Sequence, residues 1–172
     1  LSSPGYEDLS SAVFTTDFSQ QHLQVSQDPA SISFFWYSEE GLVIEKRYRF
    51  HPDSYRIDLS VNVINQSDSP QEAGLLVDMV NPPPDGSTFV FQGPFAYINK
   101  ELKEIDIGDI AEKGTYEGNI QWAGIEDRYF MTTLIPKAPI HTEIRLGLDQ
   151  PANQLRVTYV QPSDPLPPAT RH

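Results

Sequence analysis

Apolar residues in this chain recur at every second position, in stretch after stretch, and nowhere form the broad stripe of an amphipathic helix. Tyr55, Ile57, Leu59, Val61 and Val63 alternate with Arg56, Asp58, Ser60 and Asn62. Leu42, Ile44, Tyr48 and Phe50 fall on one face of an extended segment, opposite Val43, Glu45, Arg47 and Arg49. Ile32, Phe34 and Trp36 alternate with Ser33, Phe35 and Tyr37. Successive side chains of a strand point to opposite faces, so this pattern demands half-buried strands. Ile57, Leu59 and Val61 are accordingly expected in the core. Ser38-Glu39-Glu40-Gly41 and His51-Pro52-Asp53-Ser54 have turn compositions, with Gly41 able to take positive φ and Pro52 fixing its own. Residues 31–64 read most simply as a three-stranded antiparallel meander.

Further strands are expected around Leu75–Met79, Thr88–Gln92, Asn119–Ala123, Tyr129–Ile135, Ile140–Leu148 and Leu155–Val160. Only Lys100–Leu102 and Ile107–Lys113 offer a helical turn. The stretch Gln161–Pro168 is so proline-rich that it reads as a linker or extended arm that does not pair in a sheet. These boundaries divide the chain into an N-terminal extension (1–19), one β-sandwich domain (20–160) and a Pro-rich tail (161–172). No repeat and no shift in composition marks a second domain. The fold class is all-β, roughly nine or ten antiparallel strands, most simply a twisted sandwich with little helix.

Charge and composition narrow the function. The 172 residues carry a formal net charge of −12, which repels a phosphate backbone and argues against nucleic acid. The absence of cysteine removes disulfides, thiolate metal sites and thiol nucleophiles. With a mean hydropathy of −0.41, no apolar run approaches the roughly 20 residues of a membrane-spanning helix. The chain starts at Leu1 with no secretory n- and h-regions, so the expectation is an excised or processed, soluble piece.

Chemistry-bearing motifs are scarce. His22, His51, His141 and His172 lack the spacing of a metal site, and neither His51 nor His141 has an acidic partner evident in sequence. No nucleophile elbow, phosphate loop or dinucleotide fingerprint occurs. Neighbouring acids such as Glu39-Glu40 or Glu126-Asp127 project to opposite faces of a strand and do not form a catalytic pair by proximity alone. Asn65-Gln66-Ser67 matches a glycosylation acceptor but sits where a hairpin turn is needed. The reading is therefore no catalytic residue, no metal and no cofactor. Aromatics carry more information. Phe34, Phe35, Trp36 and Tyr37 put rings on both faces of one strand, and Trp122, Tyr129 and Phe130 form a second group. Trp122, Tyr129 and Phe130 are expected to be chiefly structural, while Phe35, Tyr37 and Trp122 are the candidates for gripping a peptide or partner.

Two blocks carry a resemblance. Gly93-Pro94-Phe95-Ala96-Tyr97, followed by Lys100-Glu101-Leu102-Lys103 and Ile107-Gly108-Asp109-Ile110, is one; Gln121-Trp122-Ala123-Gly124 through Arg128-Tyr129-Phe130 to Leu134-Ile135-Pro136 is the other. With the segment Tyr48–Tyr55 they resemble, in order, the periplasmic domain of the YidC membrane-protein insertase family, over roughly residues 20–160. Gln121 stands where the family usually has glycine, and Phe95 is an insertion before Ala96. The resemblance implies a twisted β-supersandwich of galactose mutarotase-like shape, on the periplasmic face of the bacterial inner membrane, in a parent protein embedded in that membrane. It implies contacts with accessory subunits of the Sec translocon and with nascent membrane proteins, and no catalysis. A carbohydrate-binding or aldose-epimerase-like sandwich is the alternative. Family strands missing at the ends would leave sheet edges open, through which a dimer could form.

Overall fold

A computed structural model describes residues 9, 12–84 and 91–168. Alternation becomes ten strands: β1 (Ala30–Tyr37), β2 (Leu42–Phe50), β3 (Ile57–Asn65), β4 (Gln71–Asn81), β5 (Gly93–Ile98), β6 (Glu101–Glu104), β7 (Thr115–Glu126), β8 (Met131–Leu134), β9 (His141–Asp149) and β10 (Gln154–Leu166). A 3₁₀ turn spans Ile107–Ala111, capped by the Asp106 side chain, which accepts from the Gly108 N–H. The chain is all-β and every registered strand pair is antiparallel. The strand expected at Thr88–Gln92 lies outside the described residues as far as Val90, and Phe91 and Gln92 are not in a strand. The chain divides into two compact units, residues 1–73 with 165–172 and residues 74–164. Composition does not betray this division, because both units are built from the same alternating strands.

In the first unit β1, β2 and β3 form the expected meander. Its register aligns Trp36 with Ile44 and Val63, and Ile32 with Tyr48 and Leu59, so the apolar members share one face. Phe34 meets Tyr48 edge-on there, 6.0 Å between ring centroids. The face is nevertheless covered unevenly, well at Ile44 and poorly along β3. Ile57 is 54% and Leu59 37% exposed, and Val61 is only half-buried, which corrects the expectation that all three are core residues. Alternation identifies which residues share a face, not whether anything packs on it. The segment before β1 adds a short partner: the Thr15 and Phe35 backbones exchange hydrogen bonds of 2.8 and 2.7 Å.

The second unit holds the tight core. The seven-stranded sheet runs β4-β10-β9-β7-β5-β6, with β8 paired to β7. Ile120, Ile125, Ile144, Leu155 and Val157 are fully buried on it, each contributing about 1.5–3 kcal/mol by removal from water. Two elements depart from the sequence reading. Lys100–Leu102 is no helical turn: Asn99 (φ 53°) and Lys100 (φ 68°) form a two-residue hairpin loop with positive φ at both positions, folding β6 back onto β5. Gln161–Leu166 is strand, not a free arm. It continues β10 past Val160, where the registered pairing with β9 ends, so its prolines are asked to pair on one side at most. Gly74 on β4 allows the approach, since a Cβ there would sit 2.9 Å from Ser163 Oγ.

Candidate functional site

The candidate aromatics fall in different units and share no sheet face. Phe35 and Tyr37 lie on the polar face of β1, opposite Glu45 and Val43 of β2. Phe35 is half-buried, and Tyr37, at the strand end, is 63% exposed. The same face carries a satisfied carboxylate: Ser33 Oγ and Asn62 Nδ2 donate to the two Glu45 oxygens at 2.8 and 3.0 Å. Those donations, Asn62 first, hold the Glu45 pKa below the ordinary value. On the opposite, apolar face Lys46 places its Nζ 3.8 Å from the centre of the Phe14 ring, and burial lowers its pKa.

Trp122, on β7, is half-buried and stacks on Tyr97 of β5, 5.6 Å between centroids at 12°. Phe95 meets it edge-on at 5.2 Å. Cross-strand register explains the cluster, since Tyr97 pairs with Trp122 and Phe95 with Gly124 on one face. Thr133, opposite Gly124 on β8, has its Oγ1 buried without a hydrogen-bond partner.

Tyr129 and Phe130 do not hold strands together; they are 76% and 75% exposed at the β7–β8 hairpin tip. The tip itself is fixed. Asp127 Oδ1 accepts from the Tyr129 and Phe130 N–H groups at 2.8 and 2.9 Å, and the Asp127 N–H donates to the Phe130 carbonyl at 2.9 Å. The two N–H donors hold the Asp127 pKa low. Beside the tip is a depression of about 360 Å³, lined among others by Pro82, Pro83, Ile125, Arg128 and Tyr129.

One constellation escaped the sequence reading. His51 Nε2 lies 2.8 Å from Asp58 Oδ2, and Arg56 Nε donates to Asp58 Oδ1 at 2.8 Å. His51 first and Arg56 second depress the Asp58 pKa. Pairing β2 with β3 predicts this contact, because Arg49 opposite Asp58 places His51 diagonally across from it. The pair closes the β2–β3 hairpin with both carboxylate oxygens engaged. Among the described residues no group of three or more His, Asp or Glu side chains could hold a metal ion, and no helix is long and apolar enough to cross a membrane.

Residues 2–172 match the family described as the YidC periplasmic domain. Membrane protein insertase YidC of Syntrophus aciditrophicus (strain SB) is 27% identical over 158 residues, 90% of this chain and 29% of the relative. That of Maridesulfovibrio salexigens is 31% identical over 132 residues, covering 68% of this chain and 22% of the relative. That of Methylobacillus flagellatus is 27% identical over 134 residues, 73% and 24% respectively. The chain thus spans less than a third of the length of these relatives, and it belongs to the YidC periplasmic domain family.

Proposed function

We propose that the chain is a non-catalytic interaction domain of a membrane-protein insertase, binding segments of nascent membrane proteins and accessory subunits of the Sec translocon on the periplasmic side. The observation that carries this reading is the match of residues 2–172 to the periplasmic domain family. The chemistry is compatible with it. Aromatic groups of the kind that anchor protein contacts are present, with the exposed Tyr37 beside the half-buried Phe35 on β1 and the half-buried Trp122 on the β5–β7 face. His51 and Asp58 form an acid–base pair in composition, yet Arg56 occupies the second carboxylate oxygen, which leaves the pair to its hairpin rather than to a sugar.

The test uses the intact insertase with and without this domain. Capture of purified translocon accessory subunits and of stalled membrane-protein chains should fall when the domain is deleted, and Tyr37→Ala should weaken it. Equal capture by both forms would refute the interaction role.

A further inference from the structure

Within that interaction role, we infer that the outer edge of β8 accepts an extended polypeptide segment by strand addition, one that is apolar at alternate positions and carries no acidic residue. The edge strands of the two units are protected unequally. An unpaired strand edge offers its N–H and C=O groups to any passing chain, and charge, proline or cover is what blunts it. β6 reads Glu101-Leu102-Lys103-Glu104, with Lys103 Nζ 2.6 Å from Glu101 Oε2. β3 carries Asp58, and β4 carries Glu72 and Asp78 between Pro70 and Pro82. β1 is uncharged but is partnered at Phe35 by Thr15.

β8 is short and Pro136 lies two residues beyond it, but the strand itself carries neither charge nor proline. Its sequence is Met131-Thr132-Thr133-Leu134, and among the described residues its one strand partner is β7. Apolar side chains surround it: the exposed Tyr129 and Phe130 precede it, Met131 is 65% exposed, and Ile135 beyond it is 70% exposed. The Asp127-anchored turn holds this edge in place before any partner arrives, so the edge itself adds little ordering cost to binding. Main-chain hydrogen bonds would supply affinity, and the apolar neighbours would select alternate side chains. Charge narrows the occupant. Glu126 and Asp127 are balanced by Arg128 and Lys137 around a neutral edge, while the chain as a whole carries −12. A second copy or an acidic segment is therefore repelled, and a segment without acids is not.

The probe is a fluorescein-labelled peptide, Lys-Val-Ser-Val-Thr-Val-Lys, against the same peptide with proline at its centre. Fluorescence anisotropy with the 172-residue chain should show saturable binding of the first only, with amide exchange at Met131–Leu134 slowed tenfold or more. Thr132→Lys, and independently Met131→Lys, should weaken binding at least tenfold while leaving the melting transition in place. Equal binding of the proline peptide, protection confined to another strand, or dimerisation through β8 without peptide would overturn the proposal. Capture by the intact insertase that survives Thr132→Lys would remove β8 as the seat while leaving the interaction role standing.

Discussion

Gly118 is a position where one added methyl meets both backbone strain and crowding. Its φ is +151°, outside what L side chains readily adopt, and a Cβ there would lie 2.6 Å from both Asn99 Nδ2 and Ile98 Cγ2. The crowding has a cause. The positive-φ Asn99–Lys100 loop turns β5 into β6, and Asn99 leans onto β7, its Oδ1 accepting from the Asn119 N–H at 2.8 Å while its own N–H donates to the Asn119 carbonyl at 3.0 Å. Gly118→Ala therefore incurs about 1–3 kcal/mol of backbone strain. Displacing Asn99 and Ile98 adds about 1–3 kcal/mol of overpacking, for a total of roughly 2–6 kcal/mol.

Urea unfolding in a Trp36→Phe background leaves Trp122 as the single reporter, stacked on Tyr97 in the same unit. The midpoint should fall with little change in slope. Asn99→Gly keeps the turn conformation but loses one hydrogen bond, about 1 kcal/mol. In the double variant part of the clash disappears, so the two losses should be less than additive by about 1 kcal/mol. A loss under about 1 kcal/mol for Gly118→Ala, or strict additivity, would refute the account of this packing.

The core should respond unequally to truncation. Ile120→Ala and Ile144→Ala, both at fully buried sites, should each lose about 2–5 kcal/mol, whereas Ile57→Ala, mostly exposed, should lose under about 1 kcal/mol by the same denaturation assay. Acid should weaken the first unit through Asp58 and Glu45. Both pKa values are lowered by folding, so the folded state binds fewer protons; the stabilisation is fully present above the unfolded carboxylate pKa of about 4 and is lost as pH falls through the folded value. Asp58→Asn should flatten the midpoint-versus-pH curve in that window, and an unchanged curve would show that the contacts of Asp58 with His51 and Arg56 do not persist in solution. Polarimetry on fresh α-glucose should show no protein-dependent mutarotation; a rate that vanished in His51→Ala would restore the epimerase reading.

What alternation reveals and conceals is visible in two strands of similar pattern. β3 and β10 both place aliphatic residues at every second position, and both were legible as strands from that alone. Leu155 and Val157 of β10 are fully buried, while Ile57 and Leu59 of β3 remain exposed, because the period specifies a shared face and says nothing of its cover. Contacts that depend on register were hidden for a related reason. His51 and Asp58 are seven residues apart and become neighbours only through the pairing of β2 with β3. The Asn99–Lys100 turn lacks the glycine that usually announces such a loop, and the side-chain bond from Asn99 to β7 helps hold it there instead. Ring size, a property of the residue, singles out Phe35, Tyr37 and Trp122; their surroundings follow from neighbours distant in sequence, which is why Tyr37 ends exposed while Trp122 lies against Tyr97 and Phe95. Edges combine both kinds of information. The absence of charge in Met131–Leu134 is written in the sequence, but it acquires meaning only when the topology leaves that strand with β7 as its one described partner.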